Sequence, residues 1–530
     1  MKPRTWRSLH SALEMALPCS REDMSAFLLR EYDQYKLLLD MFTPPSDASK
    51  NQILASSKDN TPIMLDGAHI IVKQKEADFV LSISNLLKLD EVLALAITRS
   101  YVREERLDPH GSLRPGIAKS VIKYNDELMD KVAEHYFDER IECLAVIATL
   151  IRTSQDETHK HHETALTIVE RLIQDHLLYK VSGQFKEATE RKISDLVEAS
   201  SRRTSLWTRQ ALKEQKALLD ILFHLFYNAP EPPDAVKTME ILADVYFGRK
   251  QANDQFFDEV GGKLLQQVCE MCVVVAIEIM NLEEVLNLDL MGDDVFQMSP
   301  PKNETLLTTP AALVQITKLL QNMANLLARE SQVQMYANDA APVLLAWAAY
   351  GFQISEPLKD SDEYYQKLVD LMTGRRPDED TTFVPSIFFN VASHAGALEY
   401  IYNVVKGPLC QEESGPSALG YKCVIKGLLM LLMVAVPDSI RPHLNLVLEC
   451  LGELCSGNES LSKQFWDEDY LFDERREIID WPRSRFPFTA VPIIKFLTAL
   501  SSSNATATFV YRYFKTLPTF IASALNPRML

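Results

Sequence analysis

The stretch FPFTAVPIIKFLTALSSSNATATFVYRYF, residues 486–514, decides the fold class. In each half, apolar residues recur at positions i, i+3, i+4 and i+7, which is the spacing of one face of an α-helix. They are Ile493, Phe496, Leu497 and Leu500 in the first half, and Val510, Tyr513, Phe514 and Leu517 in and just after the second. The segment therefore predicts two short amphipathic helices joined by a serine-rich turn.

The ends of these two helices carry their own signals. Pro492 suits a first helical turn, where its missing N–H costs nothing, and Asn504 can accept a hydrogen bond from the free amides of the second helix. A hairpin this small cannot bury its own apolar face. It must stack on a neighbour of the same kind, as the units of a helical solenoid do.

Length and composition agree with a stacked helical array. The chain has 530 residues, 47% of them hydrophobic, and it exceeds the ~250 to 300 residues at which single cores stop growing. It has only 17 glycines, and the strongest hairpin signal, Asp66-Gly67, stands alone. We expect almost no strand.

Helix-period windows follow one another along the whole chain. They cover about 5–17, 21–42, 76–88, 90–104, 125–153, 163–180, 205–227, 234–247, 258–287, 309–329, 339–352, 362–373, 386–405, 418–435, 439–455, 491–500 and 505–516. The spacing predicts an all-α fold, an irregular HEAT- or armadillo-like α-solenoid of stacked antiparallel helix pairs, continuous over 1–530. Polar, breaker-rich stretches predict loop breaks near 43–62, 105–119, 292–308 and 467–485.

Charge and hydropathy exclude several classes of protein. The formal net charge is -18, which repels a polyanion and argues against nonspecific nucleic-acid binding. The longest apolar run, 428–436, falls well short of the ~20 residues that span a bilayer, so we predict no transmembrane helix. At the N-terminus, Trp6, Leu9, Leu13 and Leu17 favour an amphipathic helix over a signal sequence.

Cysteine usage favours a reducing compartment, because eight cysteines scattered over 530 residues do not form a dense disulfide framework. Cys269 and Cys272 form a C-x-x-C pair that could contribute to a zinc site. Zinc needs four ligands, and no second pair follows at a suitable spacing. Two thiols in the protein core are the favoured interpretation.

Other motifs fall short of a catalytic or metal site. His159, His161 and His162 lie in a charged stretch, where a solvated loop is favoured over a metal site. The His162-Glu163 start of a zincin helix fails because residue 166 is leucine.

Other sequence patterns also do not indicate a catalytic or ligand-binding site. Gly261-Gly262-Lys263 lacks P-loop spacing, and Gly415-Pro416-Ser417 is not a nucleophile elbow. The carboxylates near Asp467 and Asp473 favour a solvated acidic loop. Trp207 and Trp347 favour core anchors over ligand platforms. We predict no catalytic, cofactor-binding or metal-ligating residue, no cofactor and no enzyme.

Several segments together resemble one family. They are ISNLLKLDEVLALAITRSYVREE (83–105), EHYFDERIECLAVIATLI (134–151), WTRQALKEQKALLDILFHLF (207–226), APVLLAWA (341–348) and the hairpin at 486–514. Their order and spacing resemble the N-terminal portion of the nucleoporin 188 family, large inner-ring scaffold proteins of the nuclear pore complex. The resemblance spans nearly the whole chain.

The resemblance implies a structural role at the nuclear envelope, in nucleocytoplasmic transport of protein and mRNA. It also implies a longer α-solenoid, with an SH3-like insert and a C-terminal solenoid that are absent from this chain. The linker nucleoporin of the inner ring would bind a C-terminal tail that is likewise absent, and FG-repeat nucleoporins are further candidate partners. Since those contacts map to no position here, no site residue is assigned.

Two other functions stay open at this point. HEAT-like arrays also form transport receptors or adaptors of karyopherin type, which bind FG repeats between helices. Helical repeats also regulate small GTPases and other enzymes. The sequence alone does not show the small apolar clefts that FG binding requires.

Overall fold

The structure is a computed structural model that describes most of the chain in separate stretches. The described residues are 10, 13, 45–65, 68–106, 123–190, 201–226, 232–244, 259–282, 285, 309–330, 338–355, 383–411, 416–436, 444–466, 490–515 and 517. Nearly all of them are helical.

The described helices are, in chain order, α1 Asp47–Asp59, α2 Gln74–Leu87, α3 Glu91–Arg106, α4 Asp126–Gln155, α5 His162–Gln174, α6 Leu177–Glu190, α7 Ser201–Phe226, α8 Pro232–Leu242, α9 Glu259–Ile279, α10 Pro310–Glu330, α11 Ala341–Ser355, α12 Phe383–His394, α13 Ala397–Lys406, α14 Pro408–Gln411, α15 Pro416–Ala435, α16 Leu444–Cys455, α17 Glu459–Trp466, α18 Ala490–Leu500 and α19 Asn504–Phe514. A 3-10 helix, Asn338–Ala340, leads into α11. The all-α prediction is confirmed.

One small hairpin interrupts the helices. Strands β1 (Ile63–Leu65) and β2 (Ala68–Ile70) pair antiparallel, with Ile63 opposite Ile70. They flank the Asp66-Gly67 dipeptide, the strongest hairpin signal of the sequence. These are the strands of the described residues, in line with the expectation of almost no sheet.

The chain divides into two compact units, residues 1–221 with 256–261, and residues 222–255 with 262–530. In the first unit, successive helices from α1 to α6 pack on one another, and α1 also contacts β1. Its core includes Ile53, Val80 and Val132 together with Trp207, whose indole meets the Phe137 ring edge-on at 5.4 Å. Trp207 is thus the core anchor that its position predicts.

The second unit is organised around α11, which packs against α12, α13 and α15. Nearly every side chain of α11 is buried, as expected of a helix that is apolar all round. The Trp347 and Tyr350 rings stack at 4.9 Å on this helix. Trp347 therefore also anchors the core, as predicted.

The later part of the second unit shows stacked helix pairs. One row runs from α13 to α16 to α18, and beside it α17 packs on α19. The rows are joined where α16 contacts α17 and α18 contacts α19. This arrangement is that of an α-solenoid. Continuity of one solenoid over 1–530 stays a prediction.

The predicted loop break at 43–62 is wrong over most of its length. The Ser46 hydroxyl caps α1 by accepting from the Ser49 N–H, and Asn60 ends the helix in the left-handed region, at φ 54°. A buried polar residue hides the amphipathic pattern. Ser56 lies in the core beside Ile53 and accepts a hydrogen bond from the Val72 N–H at 3.0 Å.

Two predicted windows each contain two helices. Residues 163–180 divide between α5 and α6 with His176 at φ 60°, and 386–405 divide between α12 and α13 with Gly396 at φ 76°. Left-handed single residues end a helix without interrupting its apolar pattern, so periodicity alone does not find them. The windows 21–42 and 362–373, most of 5–17, the predicted break at 105–119 from residue 107 onward, and the predicted breaks at 292–308 and 467–485 lie outside the described residues.

Two helices within the described residues are long and apolar enough to span a membrane by length and composition alone. They are Glu259–Ile279 and Ser417–Ala435, and 61% and 56% of their apolar windows is buried inside the structure. The prediction of no transmembrane helix overlooked both, because charged residues interrupt their apolar runs. Burial of more than half of each window is typical of core helices in a water-soluble fold.

Candidate partner-binding surface

The buried face of α18 is the one that the sequence predicts. Ile493, Phe496, Leu497 and Leu500 are all buried, and Pro492 lies in the first turn. The Phe496 ring meets the Phe465 ring edge-on at 5.2 Å, which joins α18 to α17. This face packs against α16 and α19.

The second helix, α19, is capped one residue earlier than predicted. Ser503, not Asn504, is the N-cap, and its hydroxyl accepts from the Thr506 N–H at 3.4 Å. The Thr506 hydroxyl in turn accepts from the Ser503 N–H at 2.9 Å, which completes a capping box. Three serines precede Asn504, and position alone does not show which one has the extended backbone of a cap.

Only a narrow stripe of α19 is buried. Val510 and Leu517 are buried as predicted, whereas Tyr513 and Phe514 are half-buried. Tyr511 points the other way and is 60% exposed. On α18, Val491 and Ile494 are likewise 63% and 42% exposed and lie outside the buried stripe.

We call Val491, Ile494 and Tyr511 the outer face. α18 packs back on α16, and α19 packs back on α17. An exposed residue of either helix therefore lies off the face that packs on the preceding helix pair. The outer face is the candidate for contact with a partner protein.

Two basic side chains lie close to exposed aromatic rings of α19. The Lys515 ammonium lies 4.4 Å from the centre of the Tyr511 ring, and the Arg512 guanidinium lies 6.0 Å from that of Phe509. Both basic residues are exposed. Aromatic and arginine side chains are enriched in protein interfaces. The chemistry fits a helical partner whose apolar stripe is bordered by acidic residues.

Aromatic packing fixes α19 on α17 beneath this surface. The Trp466 indole stacks on the Phe509 ring, with centroids 6.0 Å apart and planes 14° apart. It also meets the Tyr513 ring at 6.4 Å. On the exposed side, Lys495 of α18 pairs with Glu449 of α16 at 3.3 Å. Exposed pairs of this kind contribute little to stability, so the aromatic rings dominate.

The C-x-x-C pair lies on α9. Cys272 is fully buried, and desolvation raises the pKa of its thiol well above the ordinary value. Cys269 is half-buried, and neither cysteine forms a disulfide bond. Within the part of the chain that the structure describes, no group of three or more His, Cys, Asp or Glu residues is arranged to hold a metal ion.

The histidine stretch is not the solvated loop that the sequence predicts. His161 is 1% exposed and is the N-cap residue of α5, and its N–H donates to His159 Nδ1 at 3.2 Å. His162 Nδ1 lies 3.4 Å from the Thr153 carbonyl oxygen of α4. The turn packs against the end of α4. Charged neighbours in the sequence concealed this, because they point outward.

The remaining motifs lie in helices or outside the described residues. Gly261, Gly262 and Lys263 form part of the first turns of α9. Ser417 lies in the first turn of α15, and its hydroxyl lies 2.9 Å from His224 Nε2. The acidic stretch from Asp467 lies outside the described residues.

Sequence reasoning missed a buried ion pair in the first unit. Arg140 of α4 donates from Nη2 to Glu214 of α7, and their side chains are 1% and 0% exposed. A signal was available, since Phe137, Arg140 and Leu144 share one helical face. A charged residue on a core face calls for a buried partner.

It also missed Glu270 on α9, which is 2% exposed. Burial raises the pKa of this carboxyl to about 7, and Asp339 acts in the same direction. The pattern CEMC places Glu270 between two core thiols, and that placement was the available signal.

Comparison with known proteins agrees with the stacked helices. The family described as Nucleoporin Nup188, N-terminal, matches residues 24–526. The chain belongs to this family. Nucleoporin NUP188 of Homo sapiens is 22% identical over 482 residues, which cover 90% of this chain and 24% of that protein. The Xenopus tropicalis protein is 22% identical over 487 residues, covering 90% of this chain and 25% of its own length. The resemblance to this family noted above is thereby confirmed.

This chain thus spans about a quarter of the length of the curated relatives it matches. The match over residues 24–526 shows the family of this chain. It does not transfer the contacts of the other three quarters of those proteins.

Proposed function

We propose that the chain is part of a structural nucleoporin that resides in the nuclear pore complex and acts there through contacts with other nucleoporins. The observation that carries the proposal is the family match over residues 24–526. The row formed by α13, α16 and α18 supports it, because stacked helices of this kind offer extended surface for contacts with other proteins.

The finer assignment follows from the family and is also a proposal. The protein belongs to the inner ring, where it supports transport as a scaffold and has no catalytic role. Its contacts with the linker nucleoporin lie chiefly outside this chain. Within it, the outer face offers an apolar patch with a basic border to a helical partner.

The first test is localisation of the protein from its own gene, fused to a fluorescent tag. We expect a punctate nuclear rim that coincides with other nucleoporins, and proximity labelling that recovers inner-ring components. A diffuse signal, or labelling dominated by transport cargo, would favour the karyopherin-type alternative and contradict the scaffold.

The second test concerns the outer face. Tyr511→Glu places a charge where an apolar contact is proposed, and we expect nucleoporin recovery to fall while the melting temperature stays within ~2 °C, since the residue is exposed. Ile173→Glu is the matched control, because Ile173 is 52% exposed on α5 in the other unit. If both variants recover nucleoporins equally well, the outer face is not a partner-binding surface. The scaffold role would then be tested by the localisation experiment alone.

A further inference from the structure

Glu270 is a buried carboxyl that lacks a basic partner among the described residues. It projects from α9, and the described charged group that acts on it is another acid, Asp339 of the 3-10 helix. Gln266 Nε2 donates to Glu270 Oε1 at 2.8 Å, and the Leu409 N–H of α14 also donates to the carboxyl. Oε2 has no hydrogen-bond partner among the described residues.

The carboxyl is wedged against the turn between α13 and α14. A Cβ atom at Gly407 would lie 2.6 Å from Glu270 Oε1 and 2.9 Å from the Asn403 carbonyl oxygen. Only glycine allows the chain to approach this closely. Glu270 thus cannot reach solvent unless the turn moves.

An ionised carboxylate in this position is costly. It would leave one charged oxygen unsatisfied in an interior site, next to a second acid, and a buried group in that situation takes up a proton instead. Burial raises the pKa of Asp339 as well, but the Tyr400 hydroxyl of α13 donates to that carboxyl and acts in the opposite direction. Glu270 Oε2 has no such donor among the described residues, so we expect Glu270 to take up the proton.

We propose that Glu270 is a proton-binding site that holds the junction of α9, α13 and α14 closed, and that loss of its proton above neutral pH loosens this junction. The moving part is the turn from Gly407 to Gln411, which covers the carboxyl. Opening that turn gives the carboxylate access to water and removes the cost of its charge.

The other titratable groups around the junction are known. Cys269 and Cys272 lie on α9, Tyr400 on α13, Cys410 on α14, and the Lys422 amine of α15 acts on Cys410. Burial raises the pKa of Tyr400 and of Cys272 well above their ordinary values, and that of Cys410 to about 12. These three groups stay neutral near pH 7, so they do not account for a change there.

The sign and size of the effect follow from linkage. The pKa of Glu270 is about 7 in the closed junction against 4.5 in water, so the closed state holds the proton more tightly. Opening becomes easier as pH rises between these values and for about one unit beyond. From pH 6 to pH 8 the opening equilibrium should increase about tenfold.

Hydrogen exchange of the whole chain tests this directly. We expect peptides that cover Gly407–Gln411 to lose about tenfold in protection from pH 6 to pH 8, after correction for the intrinsic exchange rate. Glu270→Gln keeps the shape and removes the titration, so its protection should not change with pH. Glu259→Gln, an exposed position at the start of the same helix, should behave as the wild type.

Two results would overturn the proposal: protection that does not depend on pH in the wild type, or the same dependence in Glu270→Gln. A second variant keeps the test valid if Glu270→Gln does not fold. Asp339→Asn removes the neighbouring charge, so the midpoint of the transition should move to lower pH. An unchanged midpoint would show that the Asp339 charge does not affect the ionisation of Glu270, which contradicts the proposed interaction of the two acids.

Discussion

Two buried glutamates, one in each unit, meet the cost of burial in different ways. Glu214 of the first unit accepts a hydrogen bond from the Arg140 guanidinium, whereas Glu270 of the second unit faces another acid. Burying a carboxylate without compensation is expensive, so one site uses an opposite charge and the other a proton. The second arrangement makes stability depend on pH near neutrality.

The difference also changes what a substitution removes. Deleting Arg140 leaves a charge behind in the core, while neutralising Glu270 removes the costly charge itself. The two sites therefore predict effects of opposite sign, and the variants below test that contrast.

The largest effect is expected for Arg140→Ala. It leaves Glu214 buried without its charged partner, and breaking a buried pair in this way costs about 3 to 5 kcal/mol. Chemical denaturation followed by circular dichroism measures the loss in the transition of the first unit. Lys131→Ala, which removes an exposed i,i+4 pair with Glu127 on the same helix, is the control and should change little.

Arg140→Met with Glu214→Leu sharpens this result, because it removes both charges and keeps apolar volume. We expect the double variant to recover most of the lost stability. A double variant as unstable as Arg140→Ala would show that the pair acts through shape rather than charge.

An apolar reference comes next. Phe496 is buried against Phe465 and Gly452, and Phe496→Ala should cost about 3 kcal/mol through lost contacts and a cavity. Since no titratable group is involved, the loss should be the same at pH 6 and pH 8 in thermal denaturation. Val491→Ala, at the exposed end of α18, should cost much less. Equal losses would mean that the two faces of α18 are assigned wrongly.

The sequence predicts burial well where it depends on local spacing, and poorly where it depends on a contact with a residue distant in the sequence. The buried stripe of α18 follows from spacing alone, because apolar side chains at i, i+3, i+4 and i+7 share a face. Helix α1 does not, since its core position Ser56 is polar and its partner, the Val72 N–H, lies 16 residues away. Burial of His161 was missed for another reason, because its charged neighbours in the sequence point outward.

On the candidate partner-binding surface, too, the sequence predicts what depends on local spacing and misses contacts between distant residues. Tyr511 lies outside the predicted apolar stripe of α19 and is exposed, whereas Tyr513 lies within it, is half-buried and meets the Trp466 ring of α17. Trp466 precedes its stacking partner Phe509 by 43 residues, so the contact cannot be predicted from local periodicity. Long-range pairs such as Arg140 with Glu214 are hidden likewise.

The opposite sign is expected for Glu270→Gln. The folded pKa is raised, so ionisation destabilises the fold as pH rises from about 4.5 to about 7, and the penalty is complete above that range. At pH 8 the variant should be more stable than the wild type by about 3 kcal/mol, and at pH 5 the difference should fall to about 1 kcal/mol or less. Thermal denaturation at both pH values measures this. A loss of stability at pH 8 would show that Glu270 is ionised and compensated.

The smallest effect distinguishes two adjacent residues at the start of α19. Ser503→Ala removes a hydroxyl that accepts from the Thr506 N–H, so one amide of the first turn loses its partner, at a cost of about 1 kcal/mol. Asn504→Ala changes an exposed side chain in the first helical position and should cost only a few tenths. Urea denaturation of both variants compares them. A larger loss of stability for Asn504→Ala would support Asn504 as the N-cap, as the sequence predicts, and would contradict the capping box. In that capping box the Ser503 and Thr506 groups, which are partly buried, are satisfied by each other, whereas Glu214 uses an opposite charge and Glu270 a proton.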